Sequence, residues 1–288
     1  MKQYVFMALA VAMTMTACNS NDDMPEDDAT GTVANITFNV QGDFTLTTSQ
    51  MTRALTADGK DMTDVWVFDY IGNELKQQVH QTGEDEDFGQ PTMTLSLGTH
   101  HLYFVASRGV GVTLNTDART LTFSKVRDTF WKDYAITITE GTSSGSRAVA
   151  LDRVVTNLKL IFSDAIPTGA ATFNVTPATW HYGFNYQTGE PTAAANRQIT
   201  TVNIPSSEIG VVNETVSIFG FSSATEWTTD VAVDCKTSDS GVLGFATISA
   251  APFVRNRVSE YTGPLFTAGG GMTLSLNATW DDSYQGSW

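Results

Sequence analysis

Few residues in this chain of 288 are of the types that do chemistry, and their spacing is poor for it. The four histidines are His80, His100, His101 and His181. His100 and His101 are neighbours, so on a strand they point to opposite faces. No His-Glu-x-x-His and no paired Cys-x-x-Cys occurs, so a zinc site has no framework unless two histidines meet in space. Gly141-Thr142-Ser143-Ser144-Gly145 carries the letters of a nucleophile elbow. That motif needs a strand before it and a helix after it, whereas residues 148–151 read as strand. The acidic run Glu84-Asp85-Glu86-Asp87 lacks the alternation and the Gly of a calcium loop, and reads as a solvated tip. Asp281-Asp282 is a weaker case of the same kind. There is no phosphate loop and no dinucleotide fingerprint. The expectation is a non-enzyme with no catalytic residues, no metal site and no cofactor.

The two cysteines differ in setting. Cys235 lies deep in the body and reads as a small apolar side chain in a strand. Cys18 follows Met1-Lys2-Gln3, an apolar run over 4–13, and Thr14-Met15-Thr16-Ala17. A basic start, an apolar stretch and a small residue before the cut make residues 1–17 an export signal. Ten apolar residues span about 15 Å as helix against about 30 Å of hydrocarbon, too short for a permanent membrane span. Met15-Thr16-Ala17-Cys18 resembles the lipobox of bacterial lipoproteins, with Met15 where Leu is usual. The resemblance implies a diacylglycerol on the Cys18 thiol and a further acyl chain on its new amino group. Two or more chains give lasting membrane attachment.

Residues 18–33 are acidic and lack core-forming side chains, as a flexible tether does. Fully extended, residues 19–32 of it reach roughly 45–50 Å. The acid cluster after Cys18 resembles the surface-export signal of Bacteroidetes lipoproteins; a plain charged linker reads the same way. The net charge of -15 repels phosphate backbones and disfavours nucleic acid as a partner.

Beyond the tether the pattern is sheet. Ile36, Phe38 and Val40 alternate with polar residues. Further runs of strand type fall at 64–70, 92–97, 100–106, 119–123 and 134–139, then 153–162, 171–175, 200–204, 216–221, 231–236, 245–248, 257–261 and 272–280. Lys125 to Lys132, with Val126, Phe130 and Trp131 on one side, has the spacing of two helical turns. The Gly/Ser stretch at 141–147 reads as a hinge or a long hairpin beside one. The division predicted is an N-terminal sandwich over 34–147 and a C-terminal one over 148–288. Trp180, Tyr182, Phe184 and Tyr186 alternate along one stretch. Exposed, such a row binds glycan or peptide; buried, it builds a sandwich core, the commoner use.

Asp64-Val65-Trp66-Val67-Phe68-Asp69-Tyr70 followed by Gly72, the preceding Thr52-Arg53-Ala54, Arg153-Val154-Val155-Thr156-Asn157-Leu158-Lys159-Leu160, and the closing stretch from Trp280 to Trp288 resemble fimbrillin-type proteins of Bacteroidetes. The resemblance is nearest to the lipoprotein anchor, or minor, subunits of type V pili, and runs from about residue 34 to 288. It implies an all-β fold of two tandem transthyretin-like antiparallel β-sandwich domains without enzymatic activity. It implies an outer-membrane, surface-exposed location, and other fimbrial subunits as partners through strand exchange. In stalk members of that family a protease cuts after an Arg in the first loop, and Arg53 stands where such a cut would fall. An anchor escapes the cut and keeps its lipid. The alternative is a surface adhesin that binds glycan or host protein.

Overall fold

Alternating apolar and polar residues become strands throughout, because a strand buries every second side chain. The computed structural model describes residues 33–42, 62–196, 198–267 and 272–277; Cys18, Arg53, Asp281-Asp282 and the stretch from Trp280 to Trp288 lie outside them. The first half forms β1 (Ala34–Gly42), β2 (Asp64–Ile71), β3 (Glu74–Thr82), β4 (Thr92–Leu95), β5 (Gly98–Ser107), β6 (Val110–Asn115), β7 (Thr120–Lys125), β8 (Thr129–Ile138) and β9 (Gly145–Arg153). The second half begins with β10 (Val155–Phe162), β11 (Ala170–Pro177), β12 (Thr179–Trp180), β13 (Gly183–Asn185), β14 (Ala195–Asn196) and β15 (Thr200–Asn203). It continues with β16 (Glu214–Phe221), β17 (Trp227–Thr237), β18 (Val242–Phe253), β19 (Val258–Gly263) and β20 (Thr273–Asn277). One 3-10 turn, Ser206–Glu208, interrupts them; among the described residues nothing is α-helical. The all-β class read from the sequence is the observed one.

Seven strands pair in the order β3-β2-β5-β8-β9-β1-β4. β9 turns this sheet back on itself. Its first seven residues pair with β1 in parallel, while its end meets β8 only at Phe130↔Arg153 and Trp131↔Asp152. A strand that changes partners in this way makes the corner of a sandwich. The two flaps then face each other over a core of Ile36, Phe38, Met93 and Leu95 against Val65, Val67, Leu102 and Phe104. β9 also spans the 147/148 position at which the sequence reading divides the chain.

From β10 onward two four-stranded sheets form, β16-β10-β19-β20 and β15-β11-β17-β18. Most pairs are antiparallel; β1–β9 and β10–β19 run parallel. β2 explains how the halves meet. It is buried on both faces: Val65 and Val67 enter the first core, while Trp66, Phe68 and Tyr70 enter a second core shared with Leu158, Phe173, Phe221 and Val233. All described residues belong to one compact unit, Thr32–Trp288.

The two helical turns expected at 125–132 do not form. β7 runs to Lys125 and β8 starts at Thr129. Phe130 and Trp131 point to opposite sides of β8, opposite Ala106 and Val105 of β5, so one strand serves two cores where a helix would serve one.

Candidate strand-insertion site

β1 is the first strand of the body and sits inside the sheet, between β9 and β4. Its register with β9 runs from Ile36↔Gly145 to Gly42↔Leu151, and with β4 from Ala34↔Leu95 to Thr37↔Thr92. Ala34, Ile36, Phe38 and Val40 are buried on one face. The Phe38 ring meets Phe104 edge-on at 5.2 Å and Tyr134 at 5.8 Å. The opposite face is a polar seam. The Asn39 amide donates to Ser146 Oγ at 2.7 Å, Thr94 Oγ1 donates to Asn35 Oδ1 at 2.8 Å, and the Thr37 and Thr92 hydroxyls lie 2.8 Å apart. Beyond the end of β4 the backbone ladder continues, with Phe38 N–H donating to Pro91 O and Val40 N–H to Gly89 O, both at 2.9 Å. Arg53 falls in the connection from β1 to β2, outside the described residues.

The aromatic row is buried. Trp180, Tyr182, Phe184 and Tyr186 are all at most 9% exposed. The stretch is broken into the short β12 and β13, and ring contacts do much of the holding. Trp180 donates its indole N–H to Phe219 O at 2.9 Å and packs edge-on against Phe253. Its indole lies over Gly220, where an added Cβ would come within 2.6 Å of the ring. Phe184 stacks on Phe221 at 4.7 Å. Tyr186 stacks on Phe68 at 4.0 Å, and its hydroxyl lies 2.9 Å from that of Tyr70. Burial and the Tyr70 hydroxyl both push the Tyr186 phenol upward in pKa. β13 pairs with β7, so the row joins second-half residues to a first-half hairpin. Trp131 donates to Tyr186 O at 2.6 Å, and its ring leaves room only for glycine at position 189.

Arg153 marks the passage between halves. Its guanidinium binds Asp128 through two nitrogens, at 2.7 and 3.0 Å, and donates to Asn256 Oδ1 at 3.1 Å.

The four histidines have separate partners. His80 meets Asp64 at 2.8 Å, His101 meets Asp133 at 3.2 Å, and His181 meets Thr192 O at 2.6 Å. His100 is buried, with Nδ1 2.7 Å from Asp69 Oδ1 and Nε2 2.8 Å from Ser96 O. A carbonyl only accepts, so Nε2 carries hydrogen. The contact with Asp69 then requires one more proton, on the imidazole or on the carboxyl. Burial pushes Asp69 up in pKa, while the hydrogen bond and charge of His100 pull it down less. The pair is therefore a neutral unit closing one end of the first core. Among the described residues no group of three His, Cys, Asp or Glu is placed to hold a metal ion.

The elbow letters at 141–145 occupy the turn from β8 into β9, and strand follows where a helix would be needed. Ser144 Oγ accepts the Asn35 N–H at 2.9 Å and so serves β1. The acidic run 84–87 is an exposed tip leading from β3 to β4. Cys235 is fully buried in β17, and its thiol is pushed up to about 11, first by burial and then by Asp234.

No family model matches the sequence, and no curated protein matches it. Solved structures do match in fold. A candidate adhesin from Bacteroides ovatus aligns with TM-score 0.53 at 10% identity, over 86% of this chain and 95% of that one. A candidate cell adhesion protein from Bacteroides uniformis gives 0.51 at 12% identity, over 86% and 99%. Another from Bacteroides eggerthii gives 0.50 at 13%, over 86% and 97%. The chain shares its all-β fold, over nearly the whole of their length, with proteins described as taking part in bacterial adhesion.

Proposed function

We propose that this chain is a surface lipoprotein subunit of a fimbria, held at the outer membrane through lipid on Cys18 and joined to neighbouring subunits by strand exchange. Catalysis has no part in this reading. The observation that carries it is β1, a seated strand lying in sequence between the tether of Cys18 and the loop of Arg53. A cut after Arg53 would leave lipid and β1 attached to the body only through the ladders. The large side chains of β1 are buried at about 1.5–3 kcal/mol each, so the severed strand stays in place until another strand of matching alternation competes for the slot. Left uncut, the same strand ties the body to its anchor. We read the chain as two sandwiches, β1 to β9 and β10 to β20, divided at Val154. The edge strand β18 exposes Val242 and Phe245, an edge suited to a partner subunit. A second reading, an adhesin for glycan or host protein, is favoured by the descriptions of the proteins that share the fold.

Mass spectrometry of the native amino terminus tests the proposal. An acylated Cys18 is expected for an anchor. A chain beginning at Ala54 would make this a processed stalk subunit, and an unacylated Cys18 in an uncut chain would end the anchor reading. Replacing Cys18 by Ala should move the protein from membrane to soluble fraction.

A further inference from the structure

The sheet β16-β10-β19-β20 turns Leu158, Leu160, Val216 and Ile218 into the core. Its other face carries Asn157, Lys159, Ser217 and Phe219, and a cavity of about 200 Å³ opens over Ser217 and Phe219. The cavity walls come from three separate stretches: the end of β7 with Lys125 and Arg127, Tyr182 in the aromatic row, and β15 with Thr200.

Three of these residues have buried polar atoms without a protein partner among the described residues. They are Ser217 Oγ, on a side chain 5% exposed, Arg127 Nε, and the Tyr182 hydroxyl, which neighbours Thr200 without a hydrogen bond of good geometry. Asn157, fully buried, has both amide atoms unpartnered; it lies on the same sheet face as Ser217, diagonally across the β10–β16 register. Buried polar groups are nearly always satisfied, and here the exceptions gather in one place. Positive charge gathers there too, although the chain carries -15. Burial lowers Lys125 and Arg127 in pKa, Lys125 further through Arg127 and Arg127 through Arg108.

We propose that this cavity binds a hexuronic acid, a single sugar ring bearing a carboxylate. The carboxylate meets Arg127 and Lys125, where charge-assisted hydrogen bonds are strongest. The ring hydroxyls meet Ser217, Tyr182 and Thr200, and the Phe219 ring supplies an apolar wall. The volume is below the roughly 300–1,000 Å³ of sites for drug-sized ligands, which fits one ring. The inference stands on the cavity and not on the anchoring or exchange of strands.

The test is equilibrium binding of glucuronate to the detergent-solubilised full chain, with glucose and inorganic phosphate as competitors. Saturable binding is expected, undisturbed by equimolar glucose or phosphate. Arg127→Gln should weaken it about tenfold or more, and Ser217→Ala about threefold. Lys76→Gln, at an exposed pair with Glu74, should leave it unchanged. Melting curves check that each variant is folded; should Arg127→Gln fail to fold, Ser217→Ala and Thr200→Val carry the decision. No saturable binding, equal binding of glucose, displacement by phosphate at equal concentration, or unchanged affinity in the folded variants would each overturn the proposal.

Discussion

β1 and the row from Trp180 to Tyr186 carry the same signature, an apolar residue at every second position, yet they are held in opposite ways. β1 is held by backbone ladders on both sides, with a short polar seam and two ring contacts from Phe38. The row pairs through only a few residues of β12 and β13 and is held by stacked and edge-on rings. A ladder accepts any strand of suitable alternation, whereas ring packing accepts one sequence. Under the proposed strand exchange, the first region is the replaceable one and the second the permanent one.

The largest effect expected is in the row. Trp180→Ala removes an indole packed on Gly220, Phe253 and Trp227, and should lower stability by about 4–5 kcal/mol in chemical denaturation. Phe38→Ala in β1 should cost about 3 kcal/mol. A chain lacking β1 should regain stability when a peptide of the 34–42 sequence is added, whereas a peptide of 179–187 should not rescue Trp180→Ala. Rescue in both cases would erase the contrast. Asp69→Asn tests the pair that closes the first core. The folded carboxyl binds its proton more tightly than the unfolded one. That stability is complete below the unfolded value of about 3.9 and is lost as pH rises through the raised folded value, by up to about 1.4 kcal/mol per pH unit. The Asn variant should lack this slope in urea titrations run across that window. Tyr70→Phe removes one hydroxyl contact to Tyr186 and should cost about 0.5–1.5 kcal/mol.

Strands that bury large side chains were legible. The run 64–70 reappears as β2, and 216–221 lies within β16. β3 and β6 were not read: ELKQQVHQT carries only Leu75 and Val79, and VGVTLN alternates Val110, Val112 and Leu114 over just six residues with a Gly inside. Both are edges, where one face stays wet. The run of β9 across the 147/148 position escaped for another reason: the strand belongs to the first sheet by its register with β1, which only pairing reveals. The aromatic row was legible as a row, but its burial depends on Phe68, Trp131 and Phe221, distant in sequence. The cavity beside β15 left no motif, since its residues come from four separate stretches. Cys235 was read correctly as a small buried side chain.

The seating of β1 also has a mechanical meaning. Traction on the chain ahead of Ala34 enters the fold through this one strand. Drawn lengthwise, it strains the seven registered pairs with β9 and the four with β4 together, in shear. A load shared among many parallel bonds resists far more than one that peels them in turn, so the first strand is placed as a cleat against any pull applied ahead of it.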